Sequence, residues 1–216
     1  METKILFYDN DIAVCIKPIG IDSEKDMPGI LQAQIGKKEA FCVHRLDMAV
    51  GGVMVYALNR KAAAGLSAQI AQQRMQKEYL AIVQGQPEEQ SGILRDLLFR
   101  DKSRNKSYVV KRRRAGVKEA ELEYRLLEAR DDMSLVKILL HTGRSHQIRV
   151  QFSSRKMPLV GDVKYGSKYK DCPISLFSCA LSFSHPVNGE AMHFGYLPEN
   201  EHYWKEFEYI KNGGTA

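Results

Sequence analysis

Glu119-Ala120-Glu121-Leu122-Glu123-Tyr124-Arg125-Leu126-Leu127-Glu128 alternates polar and apolar side chains. Ala120, Leu122, Tyr124 and Leu126 repeat at a spacing of two, which predicts a strand rather than a helix. Working outward, Leu135–His141 reads as a buried strand, and Ile93–Phe99 and Tyr108–Lys111 as strands on the other side. Ile5–Tyr8 and Ile12–Ile16 flank Asp9-Asn10-Asp11, a turn composition. Val53–Leu58, Glu78–Val83 and Leu176–Phe183 are further strands. Helices are expected at Pro28–Ile35, at Arg60–Arg74 after an Asn59 N-cap, from a Ser145 cap to about Ser153, and at Trp204–Ile210. In the second of these, Ala63, Leu66, Ile70 and, less regularly, Arg74 line one face. Strands outnumber helices and most neighbours are joined as hairpins. The expected class is α+β, a single domain over 1–216 with a largely antiparallel mixed sheet flanked by helices.

The 216 residues are 44% hydrophobic and 27% charged, ordinary for a folded globular chain and outside the range of disordered or fibrous ones. The longest apolar run, Val53 to Leu58, is strand-sized and far short of the ~20 residues of a membrane span. The first residues lack the basic and apolar regions of a signal peptide, so a cytoplasmic protein with reduced thiols is expected. Cys15, Cys42, Cys172 and Cys179 form no C-x-x-C pair, and the six histidines form no H-E-x-x-H, so nothing asks for a metal. Phosphate-cradling loops and a G-x-S-x-G elbow are also absent.

The net charge is +6, which favours a polyanionic partner. Its distribution is more informative. Arg100 to Lys118 holds nine basic residues and one acid, a surplus of 9 − 1 that exceeds that of the whole chain. A solvated hairpin and a phosphate-contacting loop centred on Arg112, Arg113 and Arg114 are the two readings.

Two segments concentrate polar groups. His44-Arg45-Leu46-Asp47 precedes the Val53 strand, and reads either as a structural Arg–Asp pair or as an active carboxylate beside an arginine. Thr142-Gly143-Arg144-Ser145-His146-Gln147-Ile148-Arg149 delivers Arg144 next to a helix N-terminus, an arrangement suited to an anion. Gly51-Gly52 reads as a close approach of two backbone segments.

Together these segments resemble the RluA family of pseudouridine synthases. The signature H-R-L-D is present as His44–Asp47, and T-G-R-[ST]-H-Q-I-R as Thr142–Arg149. Lys77-Glu78-Tyr79-Leu80-Ala81 matches K-x-Y-L-A, Lys17-Pro18-Ile19-Gly20 matches K-P-x-G, and Pro158–Asp162 with Tyr165-Gly166 matches P-L-x-G-D-x-x-Y-G. Val50 and Gly51 stand where the family has two hydroxyl residues. The small N-terminal RNA-binding domain of many members is not expected, since the first strand starts at Ile5.

The resemblance implies isomerisation of uridine to pseudouridine in structured RNA, tRNA or rRNA, without metal or other cofactor, by a monomer. It makes Asp47 the catalytic carboxylate, acting as nucleophile or as base on a flipped-out uridine. It gives Arg45 the vacated space or a phosphate, and Tyr79 the uracil face and a part in proton transfer. Arg144 it pairs with the aspartate. Asp162, in a turn, reads as structural. The alternative is a catalytically impaired RNA-binding protein on the same fold, which the two missing hydroxyls would favour and the intact Asp47, Tyr79 and Arg144 oppose.

Overall fold

A computed structural model describes residues 2–199 and 201–214. In chain order the strands are β1 (Lys4–Tyr8), β2 (Ile12–Lys17), β3 (Phe41–Cys42), β4 (Gly51–Ala57), β5 (Gln76–Gln84), β6 (Ser91–Asp101), β7 (Lys106–Val110), β8 (Val117–Arg130), β9 (Met133–Leu140), β10 (Leu176–Ser184) and β11 (Ala191–Gly195). The helices are α1 (Met27–Ile35), α2 (Arg60–Ala71), α3 (Gln147–Ser154) and α4 (Glu208–Lys211), with 3-10 turns at Val163–Tyr165 and His202–Glu206. Among the described residues no helix is long and apolar enough to cross a membrane. The class is α+β, as the alternating strands and short connections imply.

The chain packs as two compact units, Met1–Lys77 with Phe177–Pro198, and Glu78–Leu176 with Glu199–Ala216. In the first unit β4 pairs antiparallel with β2 and β3 and parallel with β10, and β10 pairs antiparallel with β11. The β1–β2 hairpin closes through Asp9, whose Oδ1 accepts from the N–H groups of Asp11 and Ile12. Every residue of β4 is buried, so it reads in sequence as a continuous apolar run. Its core joins Val53 and Val55 to Ile12, Val14, Leu66, Leu181 and Phe183.

Helix α2 starts where the sequence places it. The Asn59 side chain accepts from the Ala62 N–H at 2.9 Å. It stops at Ala71 rather than Arg74, because Gln73 takes a left-handed φ of 56°. Leu66 is buried as expected. The buried turn beyond it carries Gln69, whose amide donates to the Ser184 carbonyl and accepts from the Ser184 N–H.

The second unit is an antiparallel array in the order β5-β9-β8-β6-β7. Strand β8 is longer than the alternation that announces it, with Ala120, Leu122 and Leu126 buried and Tyr124 half-buried. A bulge between Leu126 and Glu128 shifts its register on β9. The terminal helix expected at Trp204–Ile210 is broken at Phe207, which is extended and fully buried. Placing that ring in the core outweighs helix continuity there.

Candidate functional site

Arg45 and Asp47 lie in the first unit, and Tyr79, Arg112, Arg113, Arg114 and Arg144 in the second. Asp47 sits on a turn that the Val50 N–H closes by donating to the Asp47 carbonyl at 2.9 Å. The carbonyls on either side are also occupied. That of Leu46 accepts from the Ser23 hydroxyl at 3.1 Å, and that of Met48 from the Gly20 N–H at 2.8 Å. Leu46 is buried beneath the turn and Met48 is exposed beyond it. The half-buried carboxylate is thus carried by a backbone tied at three consecutive carbonyls.

Lys17 completes this anchorage. It is fully buried, and its ammonium donates to the carbonyls of Pro18 at 2.7 Å, Ile21 at 2.8 Å and Met48 at 3.4 Å. Burial pushes it down to about 8 against the opposing pull of Asp22 and Asp47. In the sequence Lys17 is only a motif letter. Its burial comes from strand β2, every residue of which but Ile16 is buried.

His44 stands behind the turn. Its Nε2 accepts from the Val55 N–H at 3.3 Å, which leaves the proton of a neutral imidazole on Nδ1. Burial, with the charge of Lys77, pushes it down to about 3. The imidazole is therefore neutral at neutral pH and is held by a backbone N–H of β4. Arg45 points outward with its side chain 52% exposed, and meets Glu24 at 3.3 Å in a solvent-facing ion pair.

The glycines following Asp47 bear out the reading of a close approach. Gly52 has φ 131°, and a Cβ there would lie 2.4 Å from the Ser178 carbonyl oxygen, where β4 and β10 run parallel. A Cβ on Gly51 would meet the Lys17 carbonyl oxygen at 3.2 Å, and Val50 is buried. The two positions that lack the family's hydroxyls pack the loop against its neighbours.

In the second unit Tyr79 is buried on β5, opposite Ile138 of β9. The Thr142–Arg149 segment turns on Gln147. Its Oε1 accepts from the Thr142 hydroxyl at 2.8 Å and the Arg144 N–H at 3.0 Å, and its Nε2 donates to the Glu121 carbonyl. The helix therefore begins one residue later than a Ser145 cap implies. His146 takes the N-cap position with φ 53°, and its Nδ1 lies 2.9 Å from the Tyr165 hydroxyl. Arg144 is exposed, and its Nε donates to the Glu119 carbonyl at 2.8 Å. Arg149, to which the sequence reading gave no role, makes a two-pronged pair with Asp162 at 2.7 and 2.9 Å, both side chains buried. That pair joins α3 to the Pro158–Asp162 turn and gives Asp162 the structural part expected of it.

Arg112, Arg113 and Arg114 lie exposed in the connection from β7 to β8. Arg113 pairs with Glu119, and the Arg114 guanidinium lies 4.5 Å from the centre of the Phe99 ring. Among the described residues, Asp9, Asp11 and His185 bring three ligand atoms within 4.8 Å of one another. They are hydrogen-bonded within the first unit. His185 Nε2 meets Asp9 Oδ2 at 3.0 Å, His185 Nδ1 accepts from the Val187 and Asn188 N–H groups, and Asp11 Oδ1 accepts from Asn59 at 2.7 Å.

Residues 12–154 match the family model described as RNA pseudouridylate synthase. The "Dual-specificity RNA pseudouridine synthase RluA" of Salmonella typhi is 35% identical over 204 residues, covering 88% of this chain and 90% of the relative. The "Ribosomal large subunit pseudouridine synthase C" of Haemophilus influenzae is 30% identical over 209 residues, covering 90% of this chain. The chain spans only 65% of the length of that second relative. Among solved structures, "Human RNA Pseudouridylate Synthase Domain Containing 1" superposes with a TM-score of 0.79 at 23% identity, covering 94% of this chain and 85% of that one, a likeness of fold.

Proposed function

The chain belongs to the RNA pseudouridylate synthase family, and on that premise we propose that it isomerises uridine to pseudouridine in tRNA or rRNA, with Asp47 as the reacting carboxylate. The bond from C1′ to N1 of the uracil breaks, the freed base turns, a bond from C1′ to C5 forms as the C5 proton leaves, and N1, no longer bonded to the sugar, takes up a proton in its place. Atoms balance within the nucleotide. No water is activated and no second carboxylate is required, unlike glycoside hydrolysis. The Asp47 turn is the observation that supports this assignment. Its carboxylate lies within the family-matched span, on a backbone whose flanking carbonyls are held by Ser23, Gly20 and Lys17. Such anchoring restricts where the carboxylate can point, which is what attack or proton abstraction at a fixed sugar atom demands.

In the same reading Tyr79 offers its ring to the uracil and its hydroxyl to proton transfer, and Arg144 takes part in binding the substrate. Arg45, exposed and only loosely held by Glu24, takes the space of the flipped base or a phosphate. Arg112, Arg113 and Arg114 meet the RNA backbone.

The test is pseudouridine formed by purified protein in total tRNA and rRNA. Asp47→Asn keeps the side-chain shape and removes the charge. It is expected to fold and bind RNA while forming no pseudouridine. Turnover near the wild-type rate in that variant would remove Asp47 from the chemistry.

A further inference from the structure

Six large apolar side chains stand exposed among the described residues, and one alone on a surface needs no explanation. Met48 and Ile19 are not alone. Met48 is 59% exposed and Ile19 50%. They belong to two turns joined by a backbone bond, in which the Gly20 N–H donates to the Met48 carbonyl at 2.8 Å. Ile19 directly precedes the donor residue, and Met48 directly follows Asp47. The apolar surface continues inward from Ile19. A Cβ on Gly51 would lie 3.4 Å from Ile19 Cγ1 and 3.5 Å from the Phe177 ring, so both side chains close over that glycine. The Phe177 ring in turn lies 6.4 Å from that of Tyr196. Ile19 is thus packed on one side and bare on the other.

Ile19 is the unspecified letter of K-P-x-G, and Met48 lies just past the end of H-R-L-D. The resemblance therefore gives neither a role, although they stand beside the carboxylate it makes catalytic. Their chemistry narrows what they can meet. Neither side chain has a donor to offer a phosphate, so an RNA held at Asp47 can present to them only the face of a base or a sugar. Extruding a uridine strips the neighbouring base of a stacking partner. Exposed apolar side chains, Met and Ile among them, take the place of lost stacking at such steps.

We propose that Met48 and Ile19 form an apolar ledge for the nucleobase next to the extruded uridine, and that this ledge makes them specificity-determining residues. This rests on Asp47 being the reacting carboxylate. A purine has the larger face and buries more apolar surface against the ledge than a pyrimidine does. The ledge therefore favours a purine beside the target, and its removal lowers the ratio of the rate beside a purine to the rate beside a pyrimidine. The contact carries no charge, so it releases no counterion and leaves the salt dependence of binding as it is.

The experiment measures kcat/KM for pseudouridine formation. Unmodified tRNA and rRNA transcripts first identify the uridine that wild type converts fastest. That transcript is then made with a purine, a pyrimidine or an abasic nucleotide on either side of the uridine. Wild type, Met48→Ala, the double variant Met48→Ala with Ile19→Ala, Met48→Leu and Asp47→Asn are compared. The double variant should lose about 10-fold beside a purine, the worth of about 55 Å² of apolar contact. The loss should vanish when one flanking position is abasic, because side chains and base then no longer share a contact. Met48→Leu should keep most of the wild-type rate, and the slope of log affinity against log salt should not change in any of these variants. A double variant with the wild-type rate overturns the proposal. So does a loss that persists with either flank abasic, or a flattened salt slope, which would assign the residues to the RNA backbone. A wild-type dimer in sedimentation that the double variant dissociates would give the ledge to a second copy and overturn it too. Should the double variant not fold, Met48→Ala decides by the same comparison. An active Asp47→Asn, or a wild type that modifies no transcript, would remove the premise, whereas an inactive Asp47→Asn beside an unimpaired double variant would remove only the ledge.

Discussion

Replacing Arg112, Arg113 and Arg114 together by alanine probes whether the basic connection between β7 and β8 meets RNA. The three side chains are exposed, so their removal leaves the core of the second unit intact. Each phosphate contact contributes about 0.7–0.9 to the slope of log affinity against log salt. Three lost contacts flatten that slope by about 2.1–2.7. Between about 50 and 200 mM salt, the deficit of the variant relative to wild type should then shrink by about 20- to 40-fold. The arginines are not equivalent. Arg113 is engaged with Glu119 and Arg114 lies over Phe99, while Arg112 has neither kind of partner among the described residues. A solvent-exposed pair such as that of Arg113 is worth only ~0–1 kcal/mol, so RNA can displace it at small cost. Arg112→Ala alone should take the largest share of the effect. Filter binding across a salt series with several unrelated RNAs measures it. The preferred uridine should not change, because phosphate contacts position and do not specify. An unchanged slope would take the stretch out of the RNA site, and an altered target uridine would show that it reads bases.

Asp162→Asn should cost about 3–5 kcal/mol in urea unfolding, because it leaves the buried Arg149 guanidinium without its carboxylate. A loss below about 1 kcal/mol would contradict the burial of that pair. The His44 ring should show no titration by NMR between pH 7.5 and 4.5, since burial lowers it to about 3. A midpoint near its ordinary value of 6.5 would refute the assigned tautomer and burial. The stability consequence has a definite sign. Below 6.5 the unfolded chain takes up a proton that folded His44 refuses, so stability falls with falling pH. The loss amounts to about 2 kcal/mol between pH 6.5 and 5.

The alternation around Leu122 and the Asn59 cap were legible because strand period and capping are local properties of the backbone. Strands β3 and β11 were not. The first is two residues long, and the second has no buried residue, so neither carries a pattern that a single sequence reveals. The order of motifs from Lys17 to Gly166 was enough to identify the family, and Gly51-Gly52 already announced two backbones in close approach.

The amino-acid sequence by itself determined the α+β class, the family and the identity of the candidate residues, since these rest on local periodicity and on residue types at short spacing. Tertiary structure alone decided their environments. Burial of Lys17 among the carbonyls of Pro18, Ile21 and Met48 brings together groups up to 31 residues apart. The Nε2 acceptor role of His44 depends on an N–H of β4. The partner of Arg149 lies across a turn, at Asp162. Helix α4 waits until Glu208 because Phe207 goes to the core. Desolvation and pairing depend on what surrounds a group in space, and chain neighbours do not specify that.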